Sequence, residues 1–98
     1  MNDRLLSFLG LCMRAGKMLY GAETVIKAIR DKKALLVLCA RDLSSHSAND
    51  TAYAASRHGV PVRTLPYEKE ALSRALGRHC GVIAVTDRGF ADRILTMI

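Results

Sequence analysis

The stretch Gly10-Leu11-Cys12-Met13-Arg14-Ala15-Gly16-Lys17-Met18 has the ingredients of a phosphate-cradling loop: two glycines and a lysine. Its spacing departs from that chemistry. Five residues separate the glycines, where a phosphate loop has four, and Met18 stands where Ser or Thr would hold magnesium. The segment before Gly10 also carries helical periodicity where a strand must lead in. Nucleotide hydrolysis is not expected.

The nucleophiles and metal ligands are scattered. Cys12, Cys39 and Cys80 form no C-x-x-C, and no His lies within ligand spacing of a cysteine pair. His79 and Cys80 are chain neighbours whose side chains diverge, so adjacency does not make them base and nucleophile. His46 and His58 fall in a different segment. Asp42, Asp50, Asp87 and Asp92 suit helix caps or exposed acids. No catalytic site, metal or cofactor is expected.

The informative constellation is basic. Arg14 and Lys17 flank a short strand, and Gly21 opens a helix bearing Lys27 and Arg30 on one face. Arg41 begins the loop after a central strand, in what the element order suggests is the same layer of turns. A helix N-terminus offers unpaired N–H groups and partial positive charge, suited to a phosphate or a polar base edge.

These residues must be positioned by the elements around them. Leu5, Leu6, Phe8, Leu9, Cys12 and Met13 recur at helical spacing over Asp3–Arg14, with Asp3 as cap and Gly16 as stop. Gly10 inside that helix costs about 1 kcal/mol of propensity. Lys17–Tyr20 reads as a strand. Ala22–Asp31 reads as a helix with Val25, Ile26 and Ile29 inward and Glu23 paired to Lys27. Leu35–Cys39 is a strand apolar enough to be buried on both faces. Ser44 or Ser45 caps a helix over His46–His58, whose inner face is read as Ala48, Ala52, Tyr53 and Ala55, with Gly59 ending it. Val60–Leu65 is a strand with Pro61 at its start, so it suits an edge. Glu68–Leu76 is a helix closed by Gly77. Cys80–Val85 is the second strongly apolar strand, and Asp87 caps a helix over Arg88–Met97. This α-β-α-β-α-β-α-β-α alternation predicts a sheet between helix layers.

Length and charge bound the answer. The 98 residues allow one domain. Fifteen Lys and Arg against nine Asp and Glu give a net charge of +6, which points to a polyanionic partner. With no Trp, three Tyr and two Phe, a broad platform for single-stranded bases is not expected. The longest apolar run, Ala34–Ala40, is far too short to span a bilayer. Met1-Asn2-Asp3-Arg4 shows no export signal, so a cytoplasmic location is expected.

Three separated stretches carry a family resemblance. The run Gly21-Ala22-Glu23-Thr24-Val25-Ile26-Lys27-Ala28 and the order of elements resemble the ribosomal L-seven-Ae / L-thirty-e family of kink-turn RNA-binding proteins. Leu9–Lys17, Ala40–Ser44 and, most specifically, Ala84-Val85-Thr86-Asp87-Arg88-Gly89-Phe90-Ala91 resemble its small bacterial branch. The resemblance covers essentially the whole chain. It implies an α/β fold, a three-layer α-β-α sandwich around a four-stranded mixed sheet. It also implies binding to a helix–bulge–helix RNA with tandem sheared G·A pairs.

Carried onto this sequence, the resemblance makes Gly21 and Ala22 the point of close backbone approach. Glu23, Thr24 and Lys27 become the readers of base edges. The loop Gly77–Val82, with Cys80, Gly81 and Val82, becomes the apolar cover of an extruded base. Arg14, Lys17, Arg30, Lys33 and Arg41 supply phosphate contacts. One departure stands at Glu23 and Thr24, where better-known members carry Asn and then Glu or Gln. Binding weaker or less selective than theirs is expected.

The resulting expectation is a non-catalytic, monomeric RNA-binding protein, associated with ribosomal RNA or the ribosome and not with a membrane. The alternative is a protein-interaction module on the same fold, which the basic balance disfavours. A substrate-binding domain of an RNA-modifying enzyme ranks last, because the sequence stops at Ile98 without a catalytic extension.

Overall fold

A computed structural model of the protein describes residues 3–98. Met1 and Asn2, the start of the segment expected to lack an export signal, lie outside the described residues. The elements run α1 Arg4–Arg14, β1 Met18–Tyr20, α2 Ala22–Arg30, β2 Leu36–Cys39, α3 Ser45–His58, β3 Val62–Thr64, α4 Lys69–Leu76, β4 Val82–Val85 and α5 Arg88–Met97. The sheet order is β1-β4-β2-β3. β4 runs antiparallel to both β1 and β2, and β2 runs parallel to β3 through the α3 crossover.

The central strands show why this is a sandwich. Successive side chains of a strand point to opposite faces. Leu36 and Leu38 of β2, with Ile83 and Val85 of β4, pack beneath α1, α4 and α5. Val37 and Cys39, with Val82 and Ala84, pack beneath α2 and α3. Every residue of β2 and β4 is buried, which accounts for their continuous apolar sequence. The side under α2 and α3 is built from small residues: Ala28, Ala34, Ala54, Ala55 and Ala84 are all buried there.

The helix ends follow local chemistry. The Asp3 carboxylate accepts from the Leu5 and Leu6 amides at 3.0 and 3.1 Å. Ser44 Oγ accepts from the Ser47 amide at 3.3 Å, and Asp87 from the Phe90 amide at 3.0 Å. α4 has no cap from its own N-cap residue, Glu68. Asp42, on the loop after β2, supplies it by accepting from the Lys69 amide at 2.7 Å. Gly10 faces α4, and a Cβ there would meet the Ala75 carbonyl at 3.5 Å, an ordinary van der Waals contact.

Three local expectations are corrected. On α3 the inward residues are Thr51, Ala54 and Ala55, while Tyr53 is 66% exposed. On α2, Ala28 joins Val25 and Ile29 in the core, and Ile26 is only half-buried. Lys27 bonds forward to Asp31 at 2.8 Å instead of back to Glu23.

Candidate nucleic-acid interface

Four segments meet at one end of the sheet, and main-chain hydrogen bonds fix them there. The Gly21 amide donates to the Val82 carbonyl at 3.1 Å, and the Ala40 amide to the Gly81 carbonyl at 2.8 Å. The Arg41 amide donates to the Tyr67 carbonyl at 2.8 Å. The start of α2, the exit of β2, the entry of β4 and the approach to α4 therefore form one continuous surface.

Gly21 is the N-cap of α2, at φ 93° and ψ 140°. A side chain is disfavoured in that conformation, and open space surrounds the position where a Cβ would be. Among the described residues, no side chain caps the helix. Its first turn thus presents bare amides and the positive end of the helix dipole to solvent. Glu23 and Thr24 are exposed on that turn and Ala22 is half-buried.

Electrostatics divide the predicted cations into two groups. Arg41 lies at the Gly21 end and pairs with Glu68 at 2.8 Å, both side chains well exposed. Lys27 stands further along α2 with its ammonium on Asp31, and that contact holds the Asp31 carboxyl below its ordinary range. Lys17 and Lys33 lie at the opposite end. There the Thr86 amide donates to the Lys17 carbonyl at 3.0 Å, and the Leu35 amide, two residues past Lys33, to Val85 at 2.8 Å. Arg30 falls in the last turn of α2, toward that far end. Arg14 closes α1, its guanidinium folded back beside Gly10. Arg14, Lys17, Arg30 and Lys33 form no salt bridge among the described residues.

The expectation of one shared layer of turns is thereby corrected. Arg41 follows β2 and lies at the Gly21 end, whereas Lys33 precedes that same strand, and Lys17 precedes β1, which runs parallel to β2 because β4 inserts antiparallel between them. The loop before β4 also departs from an apolar cover. Cys80 and Val82 are 4% and 2% exposed and belong to the two cores. The loop shows solvent Gly77, Arg78 and His79 instead, with Gly81 half-buried. Gly81 is held tightly: a Cβ there would lie 2.9 Å from Lys69 Cδ and 3.1 Å from Leu43 Cδ1. Ser73 Oγ ties the loop down by accepting from the Cys80 amide at 3.0 Å and donating to its carbonyl at 3.1 Å.

Sequence reasoning missed Tyr20 and Arg78. Tyr20 ends β1 and is 39% exposed, and the Arg78 guanidinium carbon sits 5.9 Å from its ring centroid. Tyr20 stands directly before Gly21, so its position in the sequence was the available signal. Among the described residues, no group of three or more His, Cys, Asp or Glu is arranged to hold a metal ion. No helix there is long and apolar enough to cross a membrane.

A mixed four-stranded sheet between a three-helix and a two-helix layer, with an uncapped helix start bonded to the entry of a central strand, defines a single-domain α-β-α sandwich. The chain belongs to the Ribosomal protein L7Ae/L30e/S12e/Gadd45 family, whose model matches residues 3–95. It is similar to the RNA-binding protein YlxQ of Bacillus subtilis (strain 168), with 36% identity over 92% of this chain and 90% of that protein. Similarity extends to the large ribosomal subunit protein eL30 of Dictyostelium discoideum, 34% identical over 99% of this chain and 88% of that one. A solved structure from Bacillus halodurans superposes with a TM-score of 0.91 at 31% identity, covering 98% of this chain and 97% of that chain. The Giardia lamblia 15.5kD RNA binding protein shares the fold, with a TM-score of 0.76 at 20% identity over 99% and 87% of the two chains.

Proposed function

We propose that the protein is a non-catalytic RNA-binding protein of the cytoplasm that acts as a monomer on ribosomal or similarly structured RNA, with a kink-turn as its preferred target. One observation carries the reading: the Gly21–Val82 hydrogen bond holds the bare N-terminus of α2 open beside the β4 entry loop. The RNA-binding and ribosomal relatives supply its context.

The mechanism follows from what each group can do. Gly21 and Ala22 let the RNA backbone or a base edge approach the amides of the first turn. The Glu23 carboxylate accepts from a guanine N1–H and N2–H₂. Thr24 offers a single short hydroxyl, and Lys27 donates to a guanine acceptor or a phosphate once it leaves Asp31. Gly81 keeps the neighbouring loop low, and Arg41 adds a phosphate contact at the same end. Arg30, Lys33, Lys17 and Arg14 serve RNA that continues along α2, whose nine residues span about 13 Å. A regular A-form major groove is too narrow for side chains to read, so the target must display splayed bases or a widened groove.

The test is a titration at one physiological salt concentration. A kink-turn RNA is compared with the same RNA after its tandem G·A pairs are replaced by Watson–Crick pairs. A clear preference for the kink-turn is expected. Equal weak binding to both would remove the kink-turn from the proposal, and no binding to either would favour a protein partner on this surface.

A further inference from the structure

We propose that the seam between α1 and α5 is a docking groove for an acidic amphipathic helix of a protein partner. The seam lies across the sheet from α2, so it does not depend on the RNA-binding reading above. α1 and α5 pack side by side through Phe8 and Phe90, whose ring centroids are 5.3 Å apart. Phe8 also lines a groove of about 370 Å³ between the two helices. Its α1 wall is Arg4, Ser7, Phe8 and Leu11, and its α5 wall is Arg93 and Met97. The α1 residues fall at i, i+3, i+4 and i+7, so one face of that helix borders the groove along its length. A second cavity of about 830 Å³ continues it past Arg4, Arg93 and Met97.

The groove is apolar with a cationic rim. Leu11 is 47% exposed, and Phe8 and Met97 are half-buried. Among the described residues, none that lines the groove between the helices is acidic. Arg4 and Arg93 form no salt bridge among the described residues. Neither has an acid three or four positions away on its own helix. Asp92 pairs with Arg88, and the Asp3 carboxylate is taken up by Tyr67 and the first α1 amides. Arg4 also stands in the first turn of α1, where a cation opposes the helix dipole. A carboxylate from outside would relieve both charges. An apolar strip between two unpaired guanidiniums suits a helix with apolar anchors at i, i+4 and i+7 flanked by Asp or Glu. A second copy of this chain suits it poorly, because a two-fold contact would gather four guanidiniums with no groove carboxylate to meet them. Leu11 and Met97 offer nucleic acid no face to stack on.

The experiment titrates the full, isotopically labelled chain with two helical peptides of about 18 residues. Both carry the same leucine face, one with glutamates elsewhere and one with lysines. Amide shifts report which residues are touched. The glutamate peptide is expected to move the signals of α1 and α5 and to leave Gly21 and Glu23 in place. The lysine peptide is expected to bind about tenfold more weakly or worse. Leu11→Ser, at an exposed position, should weaken the glutamate peptide about tenfold and leave kink-turn affinity within about twofold. Arg4→Glu combined with Arg93→Glu should reverse the preference and make the lysine peptide the tighter ligand, a gain that misfolding cannot produce. Equal affinity for the two peptides, shifts spread over the whole molecule, or no binding of either would overturn the docking groove. So would self-association of the wild type that Leu11→Ser removes, which would assign the seam to a second copy. Loss of RNA affinity in Leu11→Ser would overturn it too, by making the seam part of the RNA surface. A wild type that binds the glutamate peptide but no kink-turn would support the groove and remove only the kink-turn reading.

Discussion

The Gly21 amide and the Val82 carbonyl are joined across 3.1 Å, which ties the first residue of a central strand to the cap of α2. Gly21 makes the bond at φ 93°, a conformation costing a residue with a Cβ about 1–3 kcal/mol. Gly21→Ala meets no steric clash. It should therefore destabilise the fold by about that strain alone and also weaken RNA binding. Urea unfolding and an RNA titration check the two effects separately.

Asp31 competes with the proposed ligand for the Lys27 ammonium. Lys27→Ala should weaken kink-turn binding by about 1–3 kcal/mol if Lys27 contacts a base edge. The unfolding midpoint should hardly move, because an exposed ion pair contributes little stability. Asp31→Asn releases the ammonium and should tighten binding at low salt. Equal affinity for parent and Lys27→Ala would take Lys27 out of the site.

A second pairing sets the pH response of the fold. The Tyr67 hydroxyl lies 2.7 Å from both Asp3 oxygens. It is the main cause that holds the Asp3 carboxyl below its ordinary value, helped by the Leu6 amide. A depressed folded value stabilises the fold above about pH 4, and that contribution is lost as pH falls through the folded value. Burial first, and then Asp3, push the Tyr67 phenol upward, so its contribution is intact below about pH 10 and declines as pH rises further. Asp3→Asn should flatten the acid limb of stability, and Tyr67→Phe should flatten both limbs, as read from melting temperature against pH.

All three thiols should be slow toward alkylation in the folded protein. Burial pushes the Cys12 thiol up to about 11 and raises Cys39 and Cys80 as well. The thiolate is the reactive form. Timed labelling at pH 8 should therefore track global unfolding. Fast labelling of Cys80 alone would show instead that the β4 entry loop opens independently.

Thr51 is fully buried and its hydroxyl has no hydrogen-bond partner among the described residues. Such a group carries its desolvation cost uncompensated. Thr51→Val keeps the branched shape and should stabilise the fold by about 1 kcal/mol, measured by urea unfolding. No gain would mean that the hydroxyl is satisfied by solvent.

Most of the fold was legible because its signals are local. Asp3, Ser44 and Asp87 cap the helices as their spacing indicates. Gly59 and Gly77 end theirs in left-handed conformations. The two continuous apolar runs became the two central strands. What was not legible depends on partners distant in sequence. The separation of Arg41 from Lys17 depends on β4 running antiparallel between β1 and β2, and no local pattern encodes it. Asp42 caps a helix 27 residues away, which spacing rules do not reach. On α3, alanines on several sides left the rotation of the helix open, so Tyr53 was assigned inward when Thr51 is the buried residue. Gly21 was legible from its type and place as the residue that opens α2. The burial of Cys80 and Val82 was not, because the same apolar letters serve a core and a cover.

The small residues under α2 act as a spacer that sets the interface from behind. Ala84 and Ala28 are buried together beneath α2, directly behind the turn where Gly21 extends the β1–β4 pairing onto Val82. A bulkier residue at either position would lift the helix and tilt its first turn away from the β4 entry, with no change to any atom facing the RNA. Recognition in this molecule is thus adjustable by interior volume. Variants that alter affinity should be sought among the buried alanines as well as on the charged surface.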